Sequence, residues 1–215
     1  MSSNEQLFEI IAKDLMNDGV SILKEGVPDS IAQSLRKHLH CIGPEQFKSA
    51  IVGRGETRVA DRRIRRDDIY WIDHNSEAES AWLLWAESLQ AYLNRHLYLG
   101  LFSFESHFAH YSVGDFYEKH CDAFKGQTNR ILSVVTYLNE DWQAKNEGEL
   151  LIYGSLESGR DNHVIHKVVP EMRTLVIFLS EEFPHEVLPA KQDRYSIAGW
   201  FRVNNSSQGV IDPPQ

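Results

Sequence analysis

The sequence contains little cysteine: Cys41 and Cys121 are the only two in 215 residues. They lie far apart in the chain, and neither belongs to a CxxC pair. This spacing predicts neither a disulfide framework nor a zinc knuckle. Because free thiols are typical of proteins in a reducing compartment, we expect a cytoplasmic location.

Long apolar runs and an excess of positive charge are also missing. No apolar stretch approaches the ~20 residues that span a bilayer, and residues 1–6 lack the pattern of a secretion signal, so we expect no membrane partner. The chain carries 22 lysines and arginines against 31 aspartates and glutamates, a net charge of −9. Such a field repels a phosphate backbone, so we expect no DNA partner either.

What is present is the composition of a globular domain, 42% hydrophobic and 25% charged. A chain of this length buries about 70% of the surface that its unfolded form exposes, so its core needs neither a disulfide nor a structural metal. A metal ion bound here would therefore serve chemistry. We expect a single compact domain and a monomeric protein.

Hydrophobic spacing divides the chain into a helical support, residues 1–100, and a β part, residues 101–205. Three helices are predicted in the first part, and the third carries a core-facing stripe of Trp82, Trp85, Leu89 and Leu93. Eight short strands are predicted in the second part, near 102–112, 115–122, 130–138, 149–154, 162–168, 173–179, 184–188 and 194–203. The pattern predicts a mainly β fold, a jelly roll with the N-terminal helices packed on one sheet.

An arginine-rich segment, residues 54–66, lies between the second and third predicted helices. Its six arginines are Arg54, Arg58, Arg62, Arg63, Arg65 and Arg66, and Asp67 follows them. Because the segment has few apolar residues to anchor it, we predict a mobile surface loop. A solvated charged loop and a loop that grips a substrate both remain open.

Three residues have the types and spacing of a metal site. His120 and Asp122 are two positions apart, so both side chains project from one face of a strand. His185 lies on a later predicted strand, which antiparallel pairing can bring opposite. Two imidazoles and one carboxylate leave three coordination positions open, which is typical of non-haem Fe(II) oxygenases.

Arg194 strengthens that interpretation. It lies on the strand that follows His185, and alternation places it on one face with Ser196, Ala198 and Trp200. A buried arginine without an anion is costly, so Arg194 predicts either a ligand carboxylate or an internal aspartate or glutamate partner.

These residues belong to longer motifs in the sequence. Residues 64–72 read IRRDDIYWI, residues 136–142 read TYLNEDW, residues 184–187 read PHEV and residues 194–200 read RYSIAGW. In this order they resemble the 2-oxoglutarate- and Fe(II)-dependent oxygenases, in particular the cytosolic prolyl 4-hydroxylases of the hypoxia-inducible-factor type and their bacterial relatives. The resemblance covers roughly residues 51–203 and implies a double-stranded β-helix, the cupin-like form of the jelly roll.

The resemblance also implies a role for each matching residue. His120, Asp122 and His185 would bind iron, Arg194 would pair with the C5 carboxylate of 2-oxoglutarate, and Tyr137 would hydrogen-bond the same carboxylate. The pocket would be lined by Tyr111, Leu151 and Trp200, and the arginine segment with Asp67 would close over the substrate. Ala198 stands where human members have threonine, and Glu149 where they have glycine, which would alter affinity for the co-substrate.

The reaction that the resemblance implies uses Fe(II), 2-oxoglutarate and O2, with ascorbate as a further cofactor. The expected product is a prolyl residue hydroxylated at C4 in a protein, and a translation factor such as elongation factor Tu is the first candidate substrate. Other hypotheses are an oxygenase of the same mechanism acting on a free amino acid or another residue, and a jelly-roll binding module without activity. A nucleic-acid demethylase would suit the arginine segment, but the negative net charge argues against it.

Overall fold

The computed structural model describes residues 3–50, 61–123 and 129–204. Within these ranges the chain forms three helices, α1 (Ser3–Asp18), α2 (Asp29–Leu39) and α3 (Glu77–Leu97). It also forms eleven strands: β1 (Val20–Leu23), β2 (Lys48–Ser49), β3 (Asp68–Trp71), β4 (Leu101–Tyr111), β5 (Tyr117–His120), β6 (Arg130–Tyr137), β7 (Leu150–Tyr153), β8 (Val164–Val168), β9 (Leu175–Leu179), β10 (His185–Val187) and β11 (Arg194–Val203). In the part of the chain that the structure covers, no helix has the length and hydropathy to cross a membrane.

The strands form two antiparallel sheets. The large sheet has the order β1-β9-β6-β11-β4-β3-β2, and the small sheet has the order β5-β10-β7-β8. β11 lies between β4 and β6, where it pairs along most of its length with both. This two-sheet architecture confirms the jelly roll, and each of the eight predicted strands overlaps an observed strand.

Two apolar clusters occupy the two faces of the large sheet. In β9, Leu175 and Ile177 belong to the cluster beneath the helices, whereas Val176 and Phe178 belong to the cluster between the sheets. Because successive side chains of a strand point to opposite faces, one short apolar run serves both clusters. The large sheet is therefore the central layer of the molecule, and the space between the sheets is left for a site.

The helices cover the outer face of the large sheet. On α3, the predicted stripe is buried as expected, with Trp82, Leu89 and Leu93 fully shielded from solvent. The helix begins after Ser76, whose hydroxyl accepts a hydrogen bond from the backbone N–H of Glu79 at 3.1 Å. This cap supplies a partner for one of the free N–H groups at the start of the helix.

The N-terminal third differs from the expectation of a purely helical support, because β1, β2 and β3 extend the large sheet. Val20 of β1 lies opposite Phe178 of β9, and Trp71 of β3 lies opposite His107 of β4. A run of two to four residues carries little periodicity, so the partner strand decides whether it becomes a strand. The expected boundary near residue 100 therefore does not divide the sheet.

Candidate active site

The structure brings His120, Asp122 and His185 together at one end of the space between the sheets. His120 ends β5 and His185 begins β10, and the two residues are direct cross-strand partners. Asp122 lies just beyond the end of β5. One ligand atom from each residue lies within 4.8 Å of the other two, which is a spacing that one metal ion can bridge.

Both imidazoles present the same nitrogen to the cluster. Nδ1 of His120 lies 2.7 Å from the carbonyl oxygen of Glu118, and Nδ1 of His185 lies 3.1 Å from that of Phe183. If each Nδ1–H donates to its carbonyl, each Nε2 keeps its lone pair for a metal. Burial, and secondarily the neighbouring His120, lowers the pKa of His185 to about 4, so this imidazole is neutral at physiological pH.

Asp122 supplies the negative charge of the cluster. Its carboxylate oxygens lie 3.7 Å from Nε2 of His120 and 3.5 Å from Nε2 of His185, and the hydroxyl of Ser133 donates to it at 2.6 Å. Burial alone would raise the pKa of Asp122, but the two histidines and the Ser133 hydroxyl outweigh it and hold the pKa well below its usual range. The carboxyl group is therefore ionised, as a metal ligand must be.

Arg194 lies deeper between the sheets, opposite Tyr111 of β4. Its side chain is almost fully buried, and it donates to the carbonyl oxygen of Gly148 at 3.0 Å and to the hydroxyl of Ser196 at 3.2 Å. Among the described residues no aspartate or glutamate pairs with it. Since a buried guanidinium without an anion is unfavourable, the internal-partner alternative receives no support and a ligand carboxylate fits.

Two tyrosines flank the Arg194 guanidinium. Its central carbon lies 5.0 Å from the ring centroids of both Tyr111 and Tyr137. The Tyr137 hydroxyl is buried without a hydrogen-bond partner, and burial raises its pKa to about 12. A neutral, unpartnered hydroxyl beside an unpaired guanidinium is a suitable site for one carboxylate group.

The metal cluster, Arg194 and Tyr111 line one cavity between the sheets. Its wall differs from the expectation at one position. Leu150 lines the cavity, whereas Leu151, the residue expected in the wall, faces the other side of β7. Alternation along the strand allows only one of the two neighbours to point inward. Trp200 and Ala198 line the cavity as expected. Glu149 does not line it, because its carboxylate pairs with Lys167 at 2.9 Å.

The arginine segment is only partly a surface feature. Arg54 and Arg58 lie outside the described residues. Of the others, Arg62 and Arg63 are exposed and Arg66 makes its contacts at the surface, over the ring of Phe116. Arg65, in contrast, lines the cavity and binds buried Asp67 through two hydrogen bonds, at 2.5 and 2.7 Å. Arg65 and Asp67 therefore lie in the cavity rather than at the surface, where a loop that closes over the substrate was expected to carry them.

The structure adds cavity residues that the sequence did not single out. Tyr117 and His107 both line the cavity, although the resemblance assigns a role to neither. Burial lowers the pKa of His107 to about 4, and its ring packs between Trp71 and Trp200. The alternation of His107, Ala109 and Tyr111 along β4 is the sequence signal that could have identified it.

The side chains present fit iron and 2-oxoglutarate. Two neutral imidazoles and one carboxylate form a donor set that suits Fe(II) and leaves coordination positions free. Arg194 and the free Tyr137 hydroxyl provide a separate carboxylate site in the same space.

Comparison with known proteins supports the same conclusion. The family model of the 2OG-Fe(II) oxygenase superfamily matches residues 106–202. The human prolyl hydroxylase EGLN3 is 30% identical over 189 residues, which are 84% of this chain and 75% of that protein.

Two solved structures are similar over nearly the whole chain. A prolyl-4-hydroxylase of Pseudomonas putida has a TM-score of 0.79 and 36% identity, and the match covers 92% of this chain and 98% of that chain. A prolyl hydroxylase of Trichoplax adhaerens, solved with a peptide fragment of the hypoxia inducible factor oxygen degradation domain, has a TM-score of 0.78 and 26% identity over 93% of this chain and 90% of that one. The chain therefore belongs to the 2-oxoglutarate- and Fe(II)-dependent oxygenases, which use Fe(II), 2-oxoglutarate and O2, and within them it is a relative of the prolyl hydroxylases of the hypoxia-inducible-factor type.

Proposed function

We propose that this enzyme hydroxylates a prolyl residue of a protein at C4, and that His120, Asp122 and His185 hold its iron. The observation that carries the proposal is the His-Asp-His cluster in one cavity with the unpaired Arg194. The His-Asp-His cluster suits a divalent metal, and Arg194 suits one end of a dicarboxylate. Together they match the needs of a 2-oxoglutarate-dependent oxygenase better than those of a binding module.

Arg194 and Tyr137 would hold the C5 carboxylate of 2-oxoglutarate. The planar guanidinium can donate two parallel hydrogen bonds, and the Tyr137 hydroxyl adds a third donor from the neighbouring strand. Gly148 supports this geometry, because its carbonyl accepts from Arg194 and its φ of 75° suits a residue without a Cβ. A Cβ there would lie 2.6 Å from that of Ala190.

The bound cofactors supply oxidative decarboxylation of 2-oxoglutarate to succinate and CO2, coupled to hydroxylation of an unactivated C–H bond. The chain supplies orientation and exclusion of water. His120 and His185 each direct one Nε2 at the metal position, and Asp122 contributes one negative charge there. Apolar side chains of both sheets, among them Leu150, Val135 and Val187, line the cavity and keep bulk water from the reacting atoms.

A prolyl substrate is supported by the relatives, which are prolyl hydroxylases, one of them solved with a peptide bound. Trp200 gives the cavity an apolar wall against which a pyrrolidine ring could pack. A translation factor such as elongation factor Tu is our first candidate for the protein that carries the proline.

The test uses the purified protein with Fe(II), 2-oxoglutarate and ascorbate. Succinate release is measured together with mass spectrometry of candidate proteins captured from a lysate. We expect a proline in one captured protein to gain one oxygen atom, dependent on both Fe(II) and 2-oxoglutarate. Succinate release that is stimulated only by a free amino acid would instead identify the alternative oxygenase, and no succinate release at all would identify a binding module.

A further inference from the structure

The strand that carries His120 is an edge strand. β5 pairs with β10 on one side, and the small sheet ends there. An edge strand has unpaired backbone groups on its outer side and is held less firmly than a central strand. A residue that must direct a metal-binding nitrogen from such a strand needs support from elsewhere in the fold.

Residues 64–66 cover the outer side of β5. The backbone N–H of Glu118 donates to the carbonyl of Ile64 at 2.9 Å, and the N–H of Arg66 donates to the carbonyl of Phe116 at 3.1 Å. Arg65 and Tyr117 form the antiparallel bridge between these two bonds. The segment therefore takes the place of a neighbouring strand.

The side chains of this bridge lead directly to His120. The Arg65 guanidinium lies over the Tyr117 ring, 4.7 Å from its centroid. The same ring stacks on His120, with a centroid separation of 3.5 Å and an interplanar angle of 15°. The His120 ring is thus held at its edge by the Glu118 carbonyl and across its face by Tyr117. Together with the packing of the His120 ring on that of His185, at a centroid separation of 4.3 Å, these contacts define the direction in which Nε2 points.

Asp67 anchors this stack to the other sheet. It lies immediately before β3 of the large sheet, and its carbonyl accepts from the N–H of Ala50 at 3.0 Å. Its carboxylate is buried and bound through both oxygens to Arg65. The ion pair therefore joins the large sheet to the edge of the small sheet at the level of the metal position.

We propose that Arg65 and Asp67 are positioning residues for the metal centre, which act by holding Tyr117 flat against His120. The inference rests on the proposed role of His120 as an iron ligand. A buried ion pair is seldom more stabilising than apolar residues of the same volume, so stability alone does not account for it. Its bidentate geometry fixes the plane of the guanidinium, and that plane fixes the ring below it.

The test measures Mn(II) binding by calorimetry on the full chain, with circular dichroism as the check on folding. The informative variant is the double substitution Arg65→Met with Asp67→Leu, because it removes both charges and leaves no buried ion unpaired. We expect the fold to persist and Mn(II) affinity to fall by about tenfold or more, the usual effect of losing a group that orients a ligand. Tyr117→Leu should have the same effect, whereas Tyr117→Phe keeps the ring and should bind Mn(II) as the wild type does.

The matched control is Arg36→Lys, which weakens an arginine–glutamate contact on α2, where Arg36 lies 3.1 Å from Glu140. It should leave Mn(II) affinity unchanged. Wild-type affinity in the double variant and in Tyr117→Leu would overturn the positioning role. Wild-type affinity in His185→Ala would instead show that the metal site itself is misassigned, so the two failures are distinguishable.

Discussion

Arg194 is the residue whose surroundings depend most on a ligand. Its guanidinium is buried against two tyrosine rings and donates hydrogen bonds to one carbonyl and one hydroxyl oxygen. No described carboxylate neutralises it. Without 2-oxoglutarate, such a charge opposes folding. With 2-oxoglutarate bound, the same charge becomes half of a desolvated ion pair. Removing this charge should therefore leave the ligand-free fold as stable or make it more stable, and should weaken the binding of 2-oxoglutarate.

Replacing Arg194 with methionine tests this expectation. Without 2-oxoglutarate, Arg194→Met should melt at the same temperature as the wild type or higher, because a buried charge is replaced by an apolar side chain of similar length. Affinity for 2-oxoglutarate should fall by about 2 to 5 kcal/mol, which is the typical cost of breaking a desolvated charge pair. Differential scanning fluorimetry with and without 2-oxoglutarate measures both quantities. An undiminished thermal shift in the variant would place the carboxylate elsewhere.

Asp122 tests the metal cluster at the same scale. Asp122→Ala should abolish succinate formation and leave the circular dichroism spectrum unchanged, because ligands in a preformed barrel serve chemistry more than folding. Ser133→Ala removes only the hydroxyl that donates to Asp122 and should retain part of the activity. Turnover of Asp122→Ala at the wild-type rate would contradict the proposed ligand set.

At the scale of elements, the helices and the strands of the C-terminal part were predicted, whereas β1, β2 and β3 of the N-terminal part were not. The helices and the longer C-terminal strands, such as β4 and β11, have enough residues for a period of 3.6 or 2 to be recognised, and turn residues separate the shorter strands between them. β2 has two residues, and only its pairing with β3 makes it a strand. The described end of the arginine segment is likewise defined by its bonds to β5 rather than by its own composition.

The arginines of this segment that make their contacts at the surface remain candidates for contact with a protein substrate. Replacing Arg62, Arg63 and Arg66 together by serine should lower turnover of the protein substrate, more strongly at low salt, because the lost attraction is one between screened surface charges. Uncoupled decarboxylation of 2-oxoglutarate should persist. Comparison of the two rates at several ionic strengths measures the effect, and equal losses in both would assign the segment to the catalytic scaffold. Arg65 is kept in this triple variant because it is part of the cavity.

At the scale of the whole molecule, His107 couples folding to pH. Burial is the main reason that its pKa falls to about 4, Arg65 and Arg130 lower it further, and Asp67 acts in the opposite direction. The folded protein therefore keeps His107 neutral, whereas the unfolded chain takes up a proton below about pH 6.5. Stability should fall as the pH drops from about 6.5 towards 4, since the unfolded state then binds more protons.

Urea denaturation at pH 7 and pH 5 measures this contribution. Between these values the wild type should lose about 2 kcal/mol more than His107→Leu does, which corresponds to the part of the pKa difference that lies above pH 5. His74→Gln, at an exposed position, should keep the wild-type dependence. If the free energy of unfolding of His107→Leu fell between pH 7 and pH 5 by as much as that of the wild type, another group would be responsible for the acid sensitivity.

The sequence by itself determined the features that depend on residue type and local spacing: the HxD pair, the later His185, Arg194 on an alternating strand, and the apolar stripe of α3. Tertiary structure decided which side of a segment meets the cavity. It placed Leu150 inward in the position expected for Leu151, and it brought Arg65 into the cavity while Arg63 stays exposed. The physical reason is that periodicity shows only which residues share a face. Which face is buried, and which charge finds a buried partner, depends on contacts between sheets that are distant in the chain.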